Sequence, residues 1–231
     1  MNSFTLKIIA LITMLCDHIY CAVLLEPKYF FLNCIGRIAF PVFAFELSQG
    51  YIYTHNKRNY ILRLLLFSIV SQIPFQLFLN SIPSSFALNV GFTLLLGFLA
   101  IFAYEKIAHS TILSKKVIYN KIIAFLVVFG IASLAGVLKT DYGMYGILLI
   151  FSFYIFRESK IYTTCSVVLL TLLHFSQYML LPNLFFSQLI LAICTCLSLC
   201  FIFLYNHKQG PKAKYLFYIF YPLHLLLLAF I

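Results

Sequence analysis

Several ionisable side chains lie inside long apolar runs, among them Asp17, His18, Arg37, Glu46 and His224, and Asp141 opens another run. An ionisable group in hydrocarbon costs a few kcal/mol or more, so it normally faces a cavity or a partner. His18 has the chemistry of a general base, because an imidazole titrates close to neutral pH. Asp17 is its neighbour in sequence, but adjacent helical residues project about 100° apart. Asp141 or His224, arriving from another helix, is therefore the better partner for the ring. Arg37 suits an ion pair with Asp17 or Asp141, or the stabilisation of an oxyanion. Glu46 is paired with Arg63 in this reading.

Further polar residues fall at matching depth. Asn89 begins one apolar run, and Asp141 is placed to cap the helix that follows it. The stretch DYGMYG offers Tyr142 and Tyr145, as interfacial anchors or as walls of a substrate site. Lys7 precedes His18 by eleven residues. Three helical turns place both on nearly one face, roughly 16 Å apart along the axis. A cation at the mouth and a base deep inside could hold the two ends of a long anionic cofactor; alternatively, Lys7 snorkels to lipid phosphate. Six of the seven cysteines lie inside apolar runs, where they act as small packing residues, and no metal-ligand spacing appears.

The elements that must position these groups are membrane helices. Only 10% of the 231 residues are charged and 63% are hydrophobic, whereas a soluble domain carries roughly 25% charged residues. Apolar segments fall at 6–25, 31–53, 60–79, 89–108, 119–138, 143–157, 161–180, 184–205 and 215–231. Runs near 20 residues without period-two alternation indicate helices rather than barrel strands. The expected fold is an all-α polytopic bundle of about nine spans. Asp17 and His18 interrupt the first run, which makes it a retained span rather than a signal peptide.

Basic residues set the orientation. With the N-terminus cytoplasmic, the inner loops hold Lys57, Arg58, Arg63, Lys106, Lys115, Lys116, Lys121, Arg157, Lys160, Lys208, Lys212 and Lys214, while the outer loops hold Lys28 and Lys139. That twelve-to-two division follows the positive-inside rule and puts the C-terminus outside. The net charge of +10 is explained by these clusters, so no nucleic-acid partner is expected. Pro41, Pro74 and Pro222 lie within spans and can kink them.

The segments LKIIALITMLCDHI, GRIAFPVFAF, NVGFTLLLG, DYGMYGILL and YPLHLLLL occur in that order over nearly the whole chain. As an ordered set they resemble the TraX family, membrane proteins associated with N-terminal acetylation of conjugative pilin. That family is in turn similar to a broader superfamily of membrane acyltransferases, in which a basic residue eleven positions before an intramembrane histidine is a hallmark, usually an arginine. Here Lys7 and His18 stand at that spacing, and lysine lacks the bidentate phosphate geometry of arginine.

The resemblance implies one domain over 1–231 in the bacterial cytoplasmic (inner) membrane, crossed many times. It implies an acetyltransferase that takes acetyl-CoA from the cytoplasm. His18 would be the catalytic base, with Asp17, Arg37, Asn89, Asp141 and His224 around it. Lys7, Arg58 and Arg63 would hold the coenzyme phosphates, and Asn89, Tyr142 and Tyr145 would contact the acceptor, a protein amino terminus, a glycan or a lipid. Gln49, Gln72 and Gln76 are amides where acidic residues are expected from many relatives. Two other classes fit the same polar layer: a small-solute transporter and a non-catalytic membrane assembly factor.

Overall fold

The computed structural model describes residues 1–23, 26–80, 86–110, 117–181, 183–211 and 214–231. Lys115, Lys116 and Lys212, counted above among the inner-loop cations, lie outside the described residues. The helices are α1 (Ser3–Val23), α2 (Phe30–Gly36), α3 (Ala39–Tyr53), α4 (Lys57–Asn80), α5 (Val90–Ala108), α6 (Val117–Val137), α7 (Gly143–Ile155), α8 (Lys160–Met179), α9 (Phe185–Phe203) and α10 (Lys214–Leu228), with a 3-10 turn at Pro27–Tyr29. Among the described residues, each apolar segment read from the sequence lies largely in helix. Among the described residues the extended structure is an isolated bridge between Leu88 and Thr140.

Among the described residues, six helical stretches are long and apolar enough to cross a membrane: α1, the run Pro27–Tyr53, α4, α5, α6 and α9. Helices α7 and α10 are apolar but shorter. The chain is an all-helical, multi-pass membrane protein. Its outward faces carry Leu66, Ile69, Val70 and Ile73 on α4 and Leu126 and Phe129 on α6, all exposed, as contact with lipid requires. Inward, α6 turns a stripe of Ala124, Val128, Ala132 and Ala135 toward α5 and α7. Small residues let the backbones approach closely.

The second apolar segment forms one candidate span, Pro27–Tyr53, made of two helical pieces interrupted at Arg37–Ile38. Pro41 explains the break: it has no N–H for the carbonyl of Arg37, and its ring presses on that carbonyl. Pro74 and Pro222, by contrast, sit inside unbroken helices.

Ten of the fifteen residues of α3 and nine of the thirteen of α7 are buried, so these two form the hub of the bundle. Helix α3 packs on α1, α5, α7 and α9, and α10 closes the far side by packing on α4 and α1. The segment after α9 folds over the start of α1. Ser3 N–H donates to Lys208 O at 2.9 Å and Phe4 N–H to Gln209 O at 3.1 Å, giving partners to amides at a helix start that have none within the helix.

Candidate functional site

Helices α1 and α10 bring two histidines together. His224 is buried, and its Nδ1 lies 2.8 Å from the carbonyl oxygen of Phe220. A carbonyl can only accept, so Nδ1 carries the proton in neutral His224 and Nε2 carries the lone pair. That Nε2 lies 2.7 Å from Nδ1 of His18, which must therefore be the donor. The remaining ring nitrogen of His18, Nε2, is left as a lone pair. The two rings stack with centroids 5.0 Å apart and planes 12° from parallel, and Phe78 closes on His18 at 5.2 Å. Of the two partners read from the sequence, His224 is the one that meets His18.

Asp17 points elsewhere, as its helical offset requires. Its carboxylate pairs with the Arg37 guanidinium and accepts from Asn33 Nδ2 at 2.8 Å. This arrangement locks α1 to α2. It depends on Gly36, where a Cβ would lie 2.3 Å from Cβ of Asp17. Arg37 pairs with Asp17 rather than Asp141, and its Nε is buried with no hydrogen-bond partner among the described residues. Asn33 was not singled out from the sequence; an asparagine in an apolar run was its only signal.

Asn89 takes a structural place. Its Oδ1 accepts from Gly91 N–H at 2.8 Å, which caps α5. Its Nδ2 donates to Ser68 O at 2.7 Å and to Gln72 Oε1 at 2.8 Å. Both amide hydrogens are thus engaged within the protein, and Oδ1 is engaged at the start of α5. Gln72 also donates to Ala87 O at 2.9 Å, so this amide ties α4 to the entrance of α5.

Asp141 does not cap α7: the cap position is Tyr142, without a side-chain bond. Asp141 is exposed and forms no ion pair among the described residues, while its backbone N–H donates to Leu88 O at 2.8 Å. The carbonyl of the preceding Thr140 receives Gly143 N–H, and this turn, not a carboxylate, starts the helix. Tyr142 stacks flat on Phe40 at 3.6 Å. Tyr145 is buried, with its hydroxyl 3.3 Å from Thr171 Oγ1 and its ring 4.4 Å from that of His174. The polar layer read from the sequence thus resolves into separate hydrogen-bonded sets on neighbouring helices.

At the end of the bundle where α1 begins lies a cavity of about 770 Å³ between α1, α3, α4 and α10. Lys7, Glu46, Gln49 and Arg63 supply polar groups to its wall, together with Tyr53, Tyr60, Tyr215 and Tyr218. Arg58 is exposed and is not part of it. Glu46 does not pair with Arg63. Its Oε2 accepts from Ser3 Oγ at 2.6 Å and meets Lys7 Nζ at 3.3 Å, because α3 leans on the first turns of α1. Arg63 instead lies against the Tyr60 ring, 5.3 Å from its centroid. Met14 and Tyr221 line the cavity, one helical turn before His18 and His224 respectively, whereas His18, Arg37, Asn89 and Asp141 do not.

A family model described as "TraX protein" matches residues 3–231. The chain is also similar to a protein of Dichelobacter nodosus named "Probable fimbrial assembly protein FimC, serogroup H1", 28% identical over 246 residues that cover 99% of this chain and 94% of the relative. No solved structure matches. Since the family match runs through α1 to α10 and carries every residue of the histidine pair, the Asp17–Arg37 pair and the cavity, the chain belongs to the TraX family.

Proposed function

We propose that this protein is a membrane-embedded acetyltransferase that moves an acetyl group from acetyl-CoA to an amine or hydroxyl at or beyond the bacterial cytoplasmic membrane. In this reading the chain crosses nine times, with the N-terminus inside and the basic end of the bundle facing the cytoplasm. The observation that carries the proposal is the chain Phe220 O, His224, His18, because it orients one imidazole and leaves its Nε2 as a base. A buried base whose tautomer is held by a second group is what proton abstraction from an acceptor needs.

The cavity supports the donor side. It combines two cations with aromatic walls, which suits a long molecule that has phosphates and a planar base at one end. Its deep end, at Met14 and Tyr221, lies about one turn from the histidines. His18 Nε2 takes the acceptor's proton as the acceptor attacks the thioester carbon. The carbon–sulfur bond breaks, and the proton passes from His18 to the departing thiolate. Asp17 serves by holding Arg37 at the same level, where a guanidinium can face negative charge developing on the carbonyl oxygen. The acceptor would be a protein amino terminus, a glycan or a lipid.

The experiment is transfer of label from acetyl-CoA by the purified protein in detergent or vesicles. His18→Ala should abolish hydrolysis and transfer while leaving membrane insertion and size-exclusion behaviour unchanged; retained activity in that variant overturns the assignment. A second reading, a non-catalytic assembly factor, is favoured by the name of the Dichelobacter relative. It predicts no turnover by the unaltered protein, and pilus or fimbrial assembly that tolerates His18→Ala.

A further inference from the structure

The cavity contains a buried group that the proposed chemistry does not use. Glu46 is 7% exposed and lines the cavity. One carboxylate oxygen, Oε2, is engaged by Ser3 and Lys7. The other, Oε1, is enclosed and has no hydrogen-bond partner among the described residues. A buried acceptor left unmet is disfavoured, and such atoms in native proteins call for an explanation. A donor atom on a molecule bound in the cavity supplies one once the Glu46 side chain turns Oε1 toward it.

The charges restrict what that donor is. Lys7 is paired with Glu46, so its charge is largely committed within the protein. Arg63 is exposed, lines the same cavity and has no carboxylate within 4 Å among the described residues. A phosphate would be drawn to Arg63 and repelled by Glu46. The group meeting Oε1 is therefore an uncharged N–H or O–H. Position restricts it further: Lys7 and His18 are three turns apart on α1, roughly 16 Å along the axis. With the reacting carbon at His18, the part of a donor molecule that reaches Glu46 is its middle, not its acyl end.

We infer that Glu46 is a specificity-determining residue of this cavity, in which Oε1 receives an amide N–H or hydroxyl of the uncharged arm of an acyl thioester donor, while Arg63 rather than Lys7 holds the phosphates. This rests on the acetyl-CoA reading given above. Glu46→Gln isolates the claim. Ser3 and Lys7 are both donors, so the glutamine must keep its oxygen at the Oε2 position. Its NH2 then occupies the Oε1 position, and an acceptor becomes a donor of almost identical shape.

Calorimetric titration of the full-length protein in detergent tests this with two ligands: coenzyme A, and adenosine 3′,5′-bisphosphate, which keeps phosphates but lacks the arm. Glu46→Gln should weaken coenzyme A at least tenfold and leave the bisphosphate unchanged. Arg63→Ala should weaken both, and should flatten the dependence of affinity on salt. On the unaltered protein, pantetheine should compete with coenzyme A, a measurement that needs no variant to fold. If the unaltered protein binds coenzyme A and Glu46→Gln binds it equally well, the inference on Glu46 falls alone. Equal weakening of both ligands by Glu46→Gln, or a larger loss of the bisphosphate in Lys7→Ala than in Arg63→Ala, also overturns it. If the unaltered protein binds no coenzyme A, the donor reading falls and takes this inference with it.

Discussion

His18 and His224 stand 206 positions apart in the chain, yet their ring nitrogens meet at 2.7 Å. Only one arrangement of protons satisfies that contact together with the Phe220 carbonyl while both rings are neutral, and it leaves His18 Nε2 as a free base. The pair is therefore directional: His224 orients, and His18 presents the lone pair.

His224→Phe tests that direction. A phenyl ring keeps the stacking on Phe220 and His18 but offers no acceptor to His18 Nδ1. A general base contributes about 10²–10⁴ in rate. Transfer should fall by roughly tenfold to a hundredfold in His224→Phe, less than in His18→Ala, because the base survives but its tautomer is no longer held. Initial rates with labelled acetyl-CoA check this, and equal loss in the two variants would contradict the assigned roles.

The Asp17–Arg37 pair should show its worth through asymmetry. Removing one partner of a buried pair costs about 3–5 kcal/mol, since the other charge is left uncompensated. Both side chains keep some exposure, 13% for Asp17 and 23% for Arg37. The loss in Asp17→Ala or Arg37→Met should thus sit at or below the lower end of that range. The double variant should be no worse than the poorer single one. Thermal unfolding in detergent measures all three.

Gly36→Ala should separate α1 from α2. A Cβ there would lie 2.3 Å from the Asp17 Cβ, a contact that backbone movement must relieve. Overpacking of this kind costs typically about 1–3 kcal/mol. A lower melting temperature, with weaker protection of the Asp17 region from hydrogen exchange, is the expected result. Gly130→Ala has open space around it and serves as the neutral control.

Asn89→Ala distinguishes structure from chemistry. It removes three hydrogen bonds in one step, among them the cap of α5. Leaving buried partners unmet costs about 1–3 kcal/mol, so the variant should be markedly less stable. Activity per folded molecule should stay near normal, because both amide hydrogens are engaged within the protein. A selective rise in KM for the acceptor at unchanged stability would restore Asn89 to the substrate site.

Helix positions were legible from hydropathy because each span must satisfy its own backbone in hydrocarbon. Lys7 and His18 could be placed on one face of α1 by spacing alone, and His224 could be matched to His18 by depth. Partner choice was less accessible. Glu46 was matched to Arg63 by sign, but the lean of α3 on α1 gives it to Lys7 and Ser3. Asn89 was placed at the start of its run, but a single sequence does not show that Gln72, seventeen residues earlier, turns toward it. Asp141 read as a cap, whereas the backbone turn at Thr140 starts that helix unaided. The first two misses concern which helices are neighbours, information that lies in packing and not in periodicity, and the third concerns a local turn.

The contact between α10 and α1 also bears on biogenesis. Helices leave the ribosome in order, so α1 waits in the bilayer through the insertion of eight further helices before α10 arrives. Until then His18 lacks the ring that orients it, and the wall that α10 lends to the cavity is missing. A nascent or truncated chain would hold its imidazole in an undirected state, and the histidine pair is complete only when the two most distant segments dock.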